Sequence, residues 1–153
     1  MPYIPYAWQK KGERIEINSG RSKNISVLGF LRRDNYFSPY VIEGNVNSEL
    51  IVAIFTSFIE SLPKQRKSVI VIDNAPTHTS RLFESMKPKW KKQNVHTLNL
   101  SAYSPELNII EILWRNIKYD WMPFEAYESF GALNNSLMHI LTNVGKLFTI
   151  KFA

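Results

Sequence analysis

Residues 69–78 read VIVIDNAPTH. Four β-branched side chains run into Asp73, and the chain then passes through Asn74, Ala75 and Pro76 to His78. A short apolar run of this kind is a strand signal, so Asp73 stands where a strand ends. In open α/β sheets, ligands collect outside the carboxyl ends of the parallel strands, which makes a carboxylate there a candidate ligand-binding group. The plainer reading is a turn, because Asp and Asn close Asx turns and cap helices. A second carboxylate, Glu111, lies in SPELNIIEILWRNIK. Asn108 can cap the helix that begins there, which places Glu111 in the first turn, pointing back toward the strand ends. Glu111 also stands four residues before Arg115, the spacing of a common surface ion pair. The two readings are compatible, because Arg115 can orient the carboxylate.

Two carboxylates converging at the ends of adjacent strands suit a hard divalent cation such as Mg²⁺, which takes oxygen ligands in octahedral geometry. Two such ions about 4 Å apart clamp the attacking and leaving oxygens of an in-line phosphoryl displacement. That chemistry needs at least one more carboxylate to bridge the metals.

The elements that must position these groups follow from periodicity and punctuation. Residues 13–18, 25–31 and 36–42 read as strands, with a hairpin turn at 32–35. Gly29 marks a bulge or a close approach, and Pro39 marks an edge. Asn47 or Ser48 caps a helix that carries Ile51, Ile54, Phe55, Phe58 and Leu62 on one side and stops at Pro63. Residues 68–73 form a continuous apolar strand, which suggests burial on both faces. Thr79 or Ser80 caps the next helix, which Pro88 kinks or ends. Residues 95–98 form another strand, and NLSAYSPELN is a loop. A helix with Ile110, Leu113, Trp114 and Ile117 on its apolar side follows, then a helical stretch over about 125–147. Antiparallel strands followed by β-α-β units predict an α/β fold, a mixed sheet with helices on its faces. We expect one domain over 1–153: antiparallel strands at about 13–42, a β-α-β-α part at about 47–120, and a helical part at about 125–147.

The chain has 153 residues, 44% of them apolar and 21% charged, which is ordinary for a globular domain. No apolar run approaches the roughly 18–20 residues of a membrane helix, so no membrane partner is expected. Residues 1–10 carry neither the basic start nor the long apolar stretch of a secretion signal. There is no cysteine, which excludes disulfides and thiolate metal sites and fits a cytoplasmic protein. Net charge is +6, which favours polyanionic partners. The segment KPKWKK places Lys87, Lys89, Lys91 and Lys92 around one tryptophan. They form either a solvated face or a row of phosphate-backbone contacts.

The segment VIVIDNAPTHTS, followed by LSAYSPELNIIEILWRNIK, resembles the catalytic core of DDE transposases of the mariner superfamily, in its bacterial insertion-sequence branch. The family pattern is an apolar strand, Asp-Asn-Ala-x-x-His, then Ser-Pro-x-Leu-Asn-Pro-Ile-Glu with a following Leu-Trp. Asp73, Asn74, Ala75, His78, Ser104, Pro105, Leu107, Asn108, Ile110, Glu111 and Trp114 match it; Ile109 replaces the family's proline, which loosens the turn that aims Glu111. Weaker similarity runs through YAWQKKGER, ISVLGF and VIEGNVNSEL, so it spans nearly the whole chain. The resemblance implies a ribonuclease-H-like fold and a two-metal site holding Mg²⁺ or Mn²⁺. Asp73 and Glu111 would be the second and third catalytic, metal-binding acids. Asn74, His78, Asn108 and Arg115 would support them, with His78 steadying Asp73 or a phosphate, or packing at the helix start. Water and then a DNA 3′-hydroxyl would be the nucleophiles, and the partners would be transposon-end and target DNA. His96 and His139 read as structural, and Trp114 and Ile117 as core.

The family carries a first aspartate on its first strand, shortly before the Tyr-x-Trp-x-x-x-Gly segment that YAWQKKG resembles. No acidic residue precedes Glu13 here. Asp34 is the best substitute by type, but its turn should lie at the opposite end of the sheet from Asp73. The expectation is therefore a sheet lacking its first, central strand, and a transposase catalytic domain that is truncated or split and inactive alone. The alternative is a non-catalytic DNA-binding fragment that pairs with itself or with an intact transposase. The helix-turn-helix region of many relatives has no counterpart in this sequence.

Overall fold

The computed structural model describes residues 24–101 and 107–152. The strand expected over 13–18 lies outside them. The described chain runs β1 (Ile25–Leu31), β2 (Phe37–Glu43), α1 (Ser48–Ser61), β3 (Ser68–Ile72), α2 (Arg81–Lys92), β4 (Val95–Asn99), α3 (Ile109–Asn116) and α4 (Phe130–Asn143). It divides into two compact units, Asn45–Asn108 and the two flanking segments Met1–Gly44 and Ile109–Ala153. No described helix is long and apolar enough to cross a membrane.

In the discontinuous unit, β1 and β2 form an antiparallel hairpin in unbroken register from Ile25↔Glu43 to Leu31↔Phe37. Gly29 pairs with Pro39, so it makes no bulge. It allows a close approach instead. A Cβ on Gly29 would lie 2.4 Å from the Phe37 ring and 3.3 Å from the Trp114 ring. Those two rings meet edge to face, centroids 5.9 Å apart, so the bare backbone lets α3 settle onto the hairpin. Asp34 serves its own turn, pairing with Arg32 and accepting a hydrogen bond from the Tyr36 amide at 3.1 Å. Leu113 and Ile117 join Leu137, Ile140 and Leu141 of α4, with Val144 and Ile150, in one core. Ile117 is buried as expected, whereas Trp114 is partly buried against that core. After Asn116 the helix widens into a π turn over Ile117–Trp121. The single helical stretch expected at 125–147 is broken into a short 3₁₀ turn, Phe124–Tyr127, and α4. The break falls at Ser129, whose hydroxyl caps α4 by accepting from the Ala132 amide at 3.1 Å.

In the continuous unit, Asn47 caps α1 by accepting from the Leu50 amide at 2.8 Å. The helix buries Ile51, Ile54, Phe55, Phe58 and Ile59, and ends before Pro63. β3 and β4 are parallel, in register from Ser68↔Val95 to Ile72↔Asn99. α1 and α2 pack on each other and α2 packs on β4. β3 is not buried on both faces. Ile72 is buried, but Val69 and Val71 are 56% and 48% exposed, and Leu98 beside them on β4 is 57% exposed. The helices of this unit cover one face of the two strands, and the β-branched run does not alternate to reveal it.

Pro88 neither ends nor breaks α2, which continues to Lys92. The cause is Trp90. It is fully buried, stacked on Phe55 and edge-on to Phe83, and its indole N–H donates to Thr56 Oγ1 at 3.2 Å. Burying so large a side chain contributes about 2–3 kcal/mol, enough to offset most of the roughly 3 kcal/mol cost of proline inside a helix.

The described strands form two two-stranded sheets, one antiparallel and one parallel. Backbone hydrogen bonding joins β1 to β2 and β3 to β4 only. The described residues leave the expectation of a missing first, central strand untested.

The Gly29 contact yields a prediction. Gly29→Ala is expected to destabilise the chain by about 1–3 kcal/mol, the usual range for overpacking, measured by urea unfolding. An unchanged midpoint would mean that Phe37 and Trp114 can move aside.

Candidate functional site

β3 ends at Ile72, and Asp73 is the next residue. Its Oδ1 accepts twice: from the Ala75 amide at 3.1 Å, and from the imidazole Nδ1 of His78 at 2.7 Å. An ionised carboxylate offers no proton, so Nδ1 carries the hydrogen of the second bond. The first bond is an Asx turn. The turn reading of Asp73 therefore holds on one oxygen, and the other oxygen is left to solvent or a ligand. Among the described residues Oδ2 has no hydrogen-bond partner, and the side chain is 47% exposed.

His78 is held from behind. Its ring lies 5.7 Å from Phe55 and 5.6 Å from Phe83, and its amide donates to the Ala75 carbonyl at 2.9 Å. The two roles foreseen for it, steadying Asp73 and packing at the helix start, are filled by one ring. Ser80 caps α2 two residues later, accepting from the Phe83 amide at 3.2 Å.

Asn74 faces the neighbouring strand end. Its Nδ2 donates to the Leu100 carbonyl at 2.8 Å, and its Oδ1 accepts from Asn99 Nδ2 at 3.3 Å. Asn99 was missed by sequence reasoning. It opens a polar loop, and nothing in its neighbourhood distinguishes it from any other loop asparagine.

Glu111 lies in the first turn of α3, as expected, and is exposed. Asn108 immediately precedes the helix. Arg115 is also exposed, and the expected ion pair between it and Glu111 is not formed. Both side chains stand in water, where such pairs contribute little, so nothing holds them together. Ser104 and Pro105 of the motif lie outside the described residues. Asp73 belongs to the continuous unit and Glu111 to the discontinuous one.

The four lysines of α2 do not form one class. Lys89, Lys91 and Lys92 are exposed. Lys87 is partly buried and donates to Glu84 Oε1 at 2.6 Å and to Asn99 Oδ1 at 3.2 Å. Trp90, in their midst, is fully buried and offers no face to a ligand. His96 lies half-buried on β4, and the exposed His139 is edge-on to Phe148.

A carboxylate oxygen without a protein donor is the kind of hard ligand Mg²⁺ or Mn²⁺ takes. Asp73 fits in kind. Among the described residues, no three Asp, Glu, His or Cys side chains gather closely enough to hold a metal ion.

The family of DDE superfamily endonucleases matches residues 1–134. Among solved structures, the chain is similar to that of the Mos1 strand transfer complex, with a TM-score of 0.58 and 16% identity. The likeness covers 92% of this chain and 43% of that one, so this chain spans less than half of the Mos1 chain. It establishes a shared α/β fold of small sheets and flanking helices, of the ribonuclease-H-like kind. No curated protein matches.

The Asp73–His78 bond is measurable by a double-mutant cycle. His78→Phe keeps a ring against Phe55 and Phe83, and Asp73→Ala removes the acceptor. The coupling between them in urea unfolding is expected to be about 1 kcal/mol, the usual net contribution of one hydrogen bond, since the carboxylate is half exposed. Strict additivity would show that the bond does not hold the carboxylate.

Proposed function

Because the chain belongs to the DDE superfamily of endonucleases, we propose that it is catalytic-domain sequence of a transposase, which cuts and joins DNA with divalent metal ions. The observation that carries this reading is the division of labour at Asp73. One oxygen is fixed by Ala75 and His78, and the other is left open at the carboxyl end of a parallel strand. Asp73 and Glu111 are taken as the second and third of the three acids, on their match to the motif. The first acid has no counterpart among the described residues, where no complete ligand group occurs. On this reading the chain by itself is inactive.

When bound, Mg²⁺ or Mn²⁺ would activate the attacking water or 3′-hydroxyl and offset the charge on the phosphoryl oxygens. The chain's own residues do the rest. Ala75 and His78 stop the Asp73 carboxylate from rotating, so the open oxygen keeps one direction. Phe55 and Phe83 keep His78 in place. Lys89, Lys91 and Lys92 supply charge for DNA phosphates and release counterions on binding. The Mos1 structure is a strand transfer complex, which agrees with DNA as the partner here. Such a protein of a bacterial insertion sequence would work in the cytoplasm, at the nucleoid when bound to DNA.

A second reading has its own observation. Val69, Val71 and Leu98 leave an apolar face exposed on β3 and β4. A non-catalytic fragment that binds DNA and pairs with a second copy or with an intact transposase would use such a surface.

The test starts from the DNA upstream of the Met1 codon, translated in all three frames. Any Asp-Glu strand found there is fused to this chain. The fusion is expected to nick element-end DNA in Mg²⁺ or Mn²⁺, and Asp73→Asn or Glu111→Gln is expected to abolish nicking. A fusion indifferent to either substitution would remove that acid from the site. Nicking by the 153-residue chain alone would overturn the incomplete-site reading.

A further inference from the structure

Lys87 differs from the other lysines of α2 in its burial and its contacts. Its side chain is 24% exposed. Its ammonium donates to Glu84 and Asn99 and lies 5.8 Å from the centre of the Phe83 ring. An ammonium has three hydrogens and no acceptor. Here two are directed at oxygens, and the charge is partly neutralised by Glu84 and faces an aromatic ring.

The contacts continue beyond Asn99, and their polarity is determined. A side-chain amide has one oxygen and one nitrogen, and either can face a given neighbour unless something forbids it. Lys87 can only donate, so Asn99 must turn its oxygen toward Lys87. Its nitrogen is then left to donate to Asn74 Oδ1, at 3.3 Å. Asn74, having presented its oxygen, has its nitrogen left for the Leu100 carbonyl, at 2.8 Å. The far end agrees with the near end, because a carbonyl can only accept. The order Lys87, Asn99, Asn74, Leu100 is a one-way relay with a cation at its head. It joins α2, the last residue of β4, and the residue next to Asp73.

We infer that Lys87 is a positioning residue, which orients this relay and so fixes the Asp73–Asn74 turn against the end of β4, and that it is not a phosphate contact. The inference rests on the reading of Asp73 as a site acid for its functional meaning, but not for its structural test. A neutral side chain at 87 would remove the charged donor that holds the Asn99 oxygen, leaving the relay anchored at its Leu100 end alone, and the turn would lose its tie to α2. The Glu84 contact alone does not supply this. It lies within α2, half exposed, where ion pairs contribute little.

The test uses the full 153-residue chain in two arms. In the first, two-dimensional NMR follows the side-chain amides of Asn74 and Asn99 and the backbone amide of Ala75. Lys87→Met is expected to move all three and to bring the side-chain amides toward the positions of free asparagine. Lys87→Arg, which keeps a cationic donor, is expected to restore them, and Lys89→Met to leave them in place. Asn99→Ala cuts the relay at its middle and is expected to move Asn74 and Ala75 in the same way, so the arm stands even where Lys87→Met fails to fold. Unmoved Asn74 and Ala75 signals in Asn99→Ala would overturn the inference. In the second arm, duplex-DNA affinity is measured against salt. Lys89→Met is expected to lower the log–log slope by about one and Lys87→Met to leave it unchanged. An equal drop for Lys87→Met would make it a phosphate contact and overturn the inference. Absence of any DNA binding would count against the proposed function, while the first arm still decides the role of Lys87.

Discussion

The packing of Phe55, Phe83, Trp90 and His78 is the constraint on which the continuous unit depends. Phe55 comes from α1 and the other two large rings from α2, so their contact fixes one helix on the other. Trp90 keeps α2 helical past a proline, and that extra turn carries Lys91 and Lys92 into water. His78 closes the cluster on the side of the strand ends. An imidazole so placed has its rotation stopped by two phenyl rings, and it passes that restriction to the carboxylate it touches. Apolar packing thereby sets the direction of a charged group that is itself half exposed, a precision that solvent-facing hydrogen bonds alone do not give.

The carboxylate shows how one residue meets two demands. A turn needs an acceptor for the Ala75 amide, and a metal or phosphate-processing site needs an oxygen without a protein donor. Asp73 meets the first with Oδ1 and leaves Oδ2 without a donor among the described residues, because its two oxygens are not equivalent in the fold. The asparagine beside it does something similar with its amide, whose two ends bind two different parts of β4 and its exit.

Much of this was legible in the sequence. The helix over 48–61, its asparagine cap, the hairpin at 25–43 and the parallel strands follow from periodicity and cap chemistry, because each depends on neighbours within a few positions. The motif residues Asp73, Asn74, His78 and Glu111 fell where strand and helix ends were expected. What was hidden depended on distant partners. Pro88 is tolerated because of Thr56 and Phe55, more than thirty residues away. The apolar run at 69–72 reads the same whether one face or two are covered. Lys87 looks like its neighbours until Asn99 is placed beside it. The spacing of Glu111 and Arg115 permits a pair that exposed side chains have no reason to keep.

Asn35, at the tip of the first hairpin, binds the backbone of Ile150 through both ends of its amide, with distances of 3.0 and 2.7 Å across a separation of 115 residues. Gly145 makes room for it, since a Cβ there would lie 2.5 Å from the Asn35 carbonyl oxygen. A chain emerging from the ribosome makes Asn35 115 residues before Ile150. The hairpin must therefore wait, its half of the core uncovered, while the whole of 45–108 is synthesised and has time to fold as a unit of its own. The entropy of closing so long a loop rises only with the logarithm of its length, and a folded insert shortens the effective loop further. The order of synthesis thus gives the continuous unit its whole length before the discontinuous one can close, and any ribosome that stops before residue 150 releases a hairpin without its clasp.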